Sequence, residues 1–286
     1  EFKALMPPYG LKRLAPVPAI LLLAWSAPAQ SAAPLRDTIA PHRAVYAISL
    51  ARSDDGSGVS TAEGRMVFEI TGSSCQGYRM RQRMMVNIAD EDGNLGMLDF
   101  RIVTFESGEG DVYNFDARTR MNKDVVEAVE GEARRTEGGI KIKLKQPAEK
   151  TVEIDGDTLF PSQHMRAILD AAAADRNFVT AEIYEGAGDG ETSDAASAAI
   201  GKEVMDGPDD ALRAGVRHWP VSVGYFGREN EDRNNFGEEL PSYQMRFTLY
   251  ANGVTNDLVM DYGNYALSGS LESLEPIVAA SDCPSP

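Results

Sequence analysis

Phe160-Pro161-Ser162-Gln163-His164-Met165-Arg166-Ala167-Ile168-Leu169-Asp170-Ala171-Ala172-Ala173-Ala174-Asp175 decides how the chain folds. Met165, Ile168, Leu169 and Ala172 recur at i, i+3, i+4 and i+7, which puts them on one side of a helix. Gln163, Arg166 and Asp170 fall on the other side. Pro161 suits a first helical turn, where its missing N–H costs nothing and its φ is already helical. Ser162 is placed to act as the N-cap if the helix begins one residue later. The alanine run adds helix propensity and lets neighbouring backbone come close. Almost everything on either side reads as strand and turn. A lone amphipathic helix in such a chain is expected to plug or cover a sheet that wraps around it.

Upstream of the helix, residues 42–50 alternate, with Ala44, Tyr46, Ile48 and Leu50 on the more apolar face. Residues 64–70 form the next strand. Residues 78–88 set Arg79, Arg81 and Arg83 on one face. Residues 98–105 and 111–116 follow as strands. Residues 125–136 fit helix or strand by periodicity, and the turn signal at Gly138-Gly139 favours strand. Residues 140–145 alternate strictly, and their lysines suit a sheet edge or a wet sheet face. Residues 151–154 lead through a turn into the helix. Downstream, residues 177–184 resume as strand. Residues 185–199 are rich in Gly, Ala and Asp and are expected to form a mobile loop. Residues 200–204 suggest a short strand, and residues 209–214 an acidic loop or one helical turn. Residues 218–226 are a strand with bulky aromatics, and residues 227–241 a long exposed turn. Residues 243–250, the Asn252-Gly253 turn and residues 255–262 make the clearest hairpin. Residues 265–271 are the last strand, with regular structure ending at 274–276. Many short strands with regularly spaced turns predict a mainly β protein, a long antiparallel sheet that is barrel-like or rolled and open.

The net charge of −16 is unevenly spread: residues 1–29 carry +2, leaving −18 on the remainder. So acidic a body disfavours nucleic acid and anionic membrane surfaces. Lys12 and Arg13 precede the apolar residues 14–25, and small residues around Ala27-Pro28-Ala29 follow. This is the pattern of a signal peptide, and its apolar run is shorter than the ~20 residues a membrane span needs. No cysteine follows the exit, which argues against a lipoprotein anchor, and no later segment is apolar enough to span. Glu1-Phe2-Lys3 has no initiator Met and reads as added residues or upstream translation, with Met6 a candidate start. Residues 1–33 are therefore expected to be signal peptide and added residues, and residues 34–286 a single exported domain. Cys75 and Cys283 are the two cysteines. In an exported chain they most simply make one disulfide; a redox pair or two free thiols is the alternative, and no Cys-x-x-Cys is present.

No catalytic motif stands out. His42, His164 and His218 have no metal-ligand spacing. Asp90, Asp92 and Asn94 begin like a calcium loop, but Leu95 and Arg101 occupy the positions that need Gly and Glu. There is no nucleophile elbow, and the Gly-x-Gly pairs do not open a helix after a strand. No cofactor and no metal are expected. His164 is read as an ordinary, partly buried helix residue, with a ligand-binding role the sharper alternative. Trp219, Tyr225, Phe226, Tyr262 and Tyr265 fit either β-core packing or the wall of an apolar cavity.

Phe160-Pro161 with His164-Met165, Arg217-His218-Trp219-Pro220-Val221 with Tyr225-Phe226, and the hairpin from Tyr243 through Asn252-Gly253, Leu258 and Asp261-Tyr262 to Leu271 belong together. With the signal peptide and the placement of Cys75 and Cys283, they resemble the EipB family of alphaproteobacterial periplasmic cell-envelope integrity proteins. The resemblance covers about residues 41–283, and its motifs are structural. It implies a monomeric, periplasmic β-spiral: a long antiparallel sheet curled into an incomplete barrel, with a helix inside or across it. It also implies a Cys75–Cys283 disulfide and a role in resistance to envelope stress. The shape is similar to that of periplasmic lipoprotein carriers, which suggests a concave face for a lipid, a lipoprotein or a protein partner. Phe160, Met165, Ile168, Leu169, Trp219, Tyr225 and Phe226 are the candidates to line that cavity or to pack the helix that fills it. The expected function is non-enzymatic. An enzyme acting on envelope polymers through cleft carboxylates and a pure scaffold binding through residues 185–199 and 227–241 are the alternatives.

Overall fold

Strands form almost wherever the alternation runs. The computed structural model describes residues 39–227 and 241–278, and within them one sheet gathers fifteen strands. Strands β1 (His42–Ser53), β2 (Thr61–Ser73), β3 (Gly77–Ala89), β4 (Leu95–Glu106), β5 (Val112–Met121), β6 (Asp124–Arg135), β7 (Gly139–Gln146) and β8 (Lys150–Asp155) form an antiparallel meander. The short β9 (Thr158–Leu159) leads into helix α1 (Pro161–Ala173), and β10 (Phe178–Ile183) returns parallel to β9. Strands β11 (Asp194–Ile200), β12 (His218–Phe226), β13 (Tyr243–Tyr250), β14 (Thr255–Asp261) and β15 (Tyr265–Pro276) continue antiparallel, and β15 pairs with β1.

This order makes β8 and β9 the two outer strands of the sheet. Only Gly156 and Asp157 separate them in the chain. Two edges that stand a short turn apart in sequence and at opposite ends of a fifteen-stranded sheet force the sheet to curl right round. Gly156 makes the turn with a φ of 100°, a left-handed conformation that a residue with a Cβ rarely adopts. The edges do not pair, so the barrel is incomplete.

Side chains close the seam that the backbone leaves open. Phe160, just after β9, and Tyr184, just after β10, are fully buried in one cluster with Tyr113, Phe115, Ile142, Leu144 and Ile154 from the other side. The rings of Tyr113 and Phe160 stack at 5.1 Å, and those of Phe115 and Tyr184 meet edge-on at 5.6 Å. The Tyr113 hydroxyl donates to the Glu185 carbonyl at 2.9 Å. Arg135 of β6 donates to the Thr158 carbonyl of β9 at 3.0 Å and lies over the Phe160 ring. Lys150 of β8 pairs with Glu191.

The helix enters the curl with Ile168, Leu169, Ala171 and Ala172 buried. They join one cluster with Tyr46, Ile48, Met66 and Val86 from the first half of the sheet and Trp219, Val221, Leu249 and Leu267 from the second. Its N-terminus is capped from elsewhere in the fold. Phe160 holds the N-cap position without a side-chain bond, and the Ser162 N–H donates to Glu106 Oε2 of β4 at 2.9 Å. Ser162 is thus not the cap that its sequence position suggests. Gln163 does not lie on a free outer face either: its Oε1 accepts from the Phe160 N–H and from Arg135, each at 3.0 Å.

The expected mainly β incomplete barrel with one helix is the observed fold. Two local readings differ, and one open choice is decided. Residues 185–199 are not one loop, because β11 runs inside the sheet between β10 and β12. Its buried face is Ala196, Ala198 and Ile200, and alanine on both faces hides the alternation. The lysines of β7 sit on a wet face rather than at an edge, with Lys141 paired to Glu153 and Lys145 to Glu130. Strand β15 continues to Pro276. The signal-peptide residues 1–33, most of the turn at 227–241 and Cys283 lie outside the described residues.

Candidate ligand cavity

Packing around α1 fills only part of the curl. A cavity of about 550 Å³ remains, bounded by both halves of the sheet. Period-2 alternation builds its walls. On β3, Met80, Gln82 and Met84 face inward, and on β4, Leu98, Phe100 and Ile102 do the same. Met84 stands opposite Phe100 in the β3–β4 register. Across the cavity, Tyr225 opposes Tyr243 and Met245 opposes Met260. Pro161 at the helix start and Glu185, Ala187 and Gly188 after β10 add to the lining. The volume falls within the range of small-molecule sites, and the apolar lining with a few polar groups has their character.

The polar groups are unevenly distributed. Tyr225, Tyr243, Tyr262 and Tyr265 form a continuous row, with successive ring centroids 5.7, 5.1 and 5.0 Å apart. Glu185 and Glu127 contribute two carboxyl groups, and no Lys, Arg or His among the described residues lines the space. Burial, reinforced by Asp194, pushes the Glu185 carboxyl up to about 7. Burial also raises the phenols of Tyr225 and Tyr243, and the nearby charge of Glu185 raises both further.

The predicted lining residues fall in different parts of the fold. Tyr225 lines this cavity. Met165 lines a smaller apolar cavity of about 140 Å³ at the helix start, beside Glu106. Ile168, Leu169 and Trp219 are core residues packed with the helix, and Phe160 belongs to the seam. Phe226 is half-buried at the end of β12. Four methionines and Glu185 were not singled out from the sequence. The methionines carried a usable signal, since each alternates with outward residues on its strand, whereas Glu185 opens a stretch that reads as loop.

His164 is buried, and burial lowers its imidazole to about 4, so it is neutral. Its Nε2 has no hydrogen-bond partner among the described residues. No cluster of His, Cys, Asp or Glu able to hold a metal occurs among them. Cys75 sits in the turn between β2 and β3, and no cysteine among the described residues is free. No helix among them is long and apolar enough to cross a membrane.

The family model described as EipB-like matches residues 34–278. The chain belongs to the EipB-like family. A relative in Brucella abortus (strain 2308), the cell envelope integrity protein EipB, is 32% identical over 242 residues, which cover 83% of this chain and 84% of the relative. A crystal structure from Brucella abortus, described as a β-barrel-like protein of a domain of unknown function, matches with a TM-score of 0.78 and 31% identity, over 85% of this chain and 100% of that one. The EipB-like resemblance drawn from the helix start, the His218-Trp219-Pro220 strand and the Tyr243 hairpin is thus borne out, as is the barrel-like sheet that it implies.

Proposed function

We propose that this protein maintains cell-envelope integrity from the periplasm, without catalysis, by holding a hydrophobic ligand or an apolar segment of a partner in the cavity of its curled sheet. The envelope role rests on membership of the EipB-like family and on the name of the Brucella abortus relative. The periplasmic address rests on the signal-like residues 12–29. The binding role rests on one observation above the others. A cavity of about 550 Å³, walled by Met84, Phe100, Met245 and Met260, persists although the helix enters the same curl. Methionine side chains adapt to varied apolar shapes, which suits a carrier or sensor better than a single rigid fit. The Cys75–Cys283 disulfide belongs to the same reading and would tie the β2–β3 turn to the C-terminal tail.

The test is native mass spectrometry of the protein purified from a bacterial periplasm, followed by organic extraction. An adduct that extraction removes and identifies as an apolar or amphipathic molecule is the expected result. A bare mass, with extracts that match a blank, contradicts the ligand version and favours a partner protein.

A further inference from the structure

The lining of the cavity has a sign as well as a polarity, and this deepens the binding role proposed above, on which it rests. Among the described residues, its lining holds two carboxyl groups and no base. Asp194 of β11, Tyr113 of β5, Tyr225 of β12 and Tyr243 of β13 interact electrostatically with Glu185, and none of these four described groups is basic. An anionic headgroup placed there would meet like charge in a poorly solvated space, with no counter-charge to offset its desolvation. A neutral headgroup could donate hydrogen bonds to the Glu185 carboxyl but would bring no counter-charge. Tyrosine rings, in contrast, attract a cation through their faces, most strongly where water is excluded.

We propose that the cavity takes an amphipathic organic cation, with its alkyl chain along Met80, Met84, Met245 and Met260 and its ammonium group between Glu185 and the row Tyr225, Tyr243 and Tyr262. Both parts of the ligand have a counterpart on the page. The methionines and Phe100 supply the apolar wall, and Glu185 lines the same space as the tyrosine row and interacts electrostatically with Tyr225 at its end. Binding a cation favours the ionised carboxylate, so it releases a proton from Glu185, and affinity rises as pH is raised through about 7.

Calorimetric titration of the full chain with decyltrimethylammonium, decyl maltoside and decyl sulfate, each below its micelle threshold, tests this. The three share a chain and differ in head charge. The cation is expected to saturate one site per chain, about tenfold tighter than the maltoside, the scale of a desolvated cation–π contact. The sulfate is expected to be weakest. Glu185→Gln should bring the cation to the level of the maltoside. Tyr225→Leu, which keeps the carboxyl and removes one ring, should lower cation affinity and leave the maltoside nearly unchanged, and it serves if Glu185→Gln fails to fold. Equal binding of cation and maltoside, or tighter sulfate binding, overturns the cation assignment while the apolar cavity stands. Cation binding that neither variant weakens overturns it too. If none of the three amphiphiles saturates, the cavity reading fails along with it.

Discussion

Glu185 links the site to stability. Its carboxyl is raised from 4.5 to about 7 in the folded chain by burial and by Asp194. A raised carboxyl holds its proton more tightly when folded than when unfolded. Its contribution to stability is therefore fully present below pH 4.5 and is lost as pH rises to about 7. Urea unfolding of wild type should show a decline across that window that Glu185→Gln flattens; parallel pH profiles would contradict the assignment. Glu106 acts differently, as the acceptor for the first turn of α1. Glu106→Ala strands the Ser162 N–H and should cost about 1–2 kcal/mol, the usual worth of a helix cap. Glu106→Gln retains an oxygen acceptor and should cost less. The denaturation midpoints of the two variants give the comparison, and equal midpoints would mean that the carboxyl does not cap the helix.

The strands and the helix differ in how much of them a sequence displays. Strands β12 and β13 were legible to the residue, because bulky residues alternate and the turns at either end carry Gly, Pro or Asn. The helix was legible from its 3.6-residue period. Its cap was not, because the acceptor Glu106 lies 56 residues away and only the fold brings it near. Strand β11 was missed for the opposite reason: Ala195 to Ala199 offers no contrast between its faces, and its place in the sheet is fixed by the strands beside it. The same stretch hides the residues that shape the cavity, since Gly186 and Glu185 read as loop. Gly186 has φ +64°, and a Cβ there would meet the Phe115 ring at 2.5 Å. Gly186→Ala should therefore loosen the seam between β5 and β10 and lower the melting temperature by several degrees, about 1–3 kcal/mol of strain. Unchanged melting would show that the seam tolerates displacement of the loop.

At the scale of the whole molecule, side chains close the sheet along one seam, and on our proposal a Cys75–Cys283 bond ties the β2–β3 turn to the C-terminal tail. The loop from Cys75 through Cys283 spans 209 residues, and chain entropy sets an upper value of about 5 kcal/mol for such a closure. Reduction should lower the melting temperature of wild type, and Cys75→Ser should start low and not respond to reductant; wild type that melts alike with and without reductant would rule the bond out as a stabiliser. The central claim concerns the interior: the helix packs one part of the curl and leaves the rest open to an apolar occupant. Two neighbouring residues on β3 test it, because Met84 faces inward and Met85 outward. The measurement is a fluorescence titration with N-phenyl-1-naphthylamine of wild type, Met84→Trp and Met85→Trp. Wild type and Met85→Trp should saturate with one dye per chain, and Met84→Trp, whose larger ring intrudes on the cavity, should bind it more weakly. Equal binding by Met84→Trp and wild type would place the dye outside the curl and contradict the account.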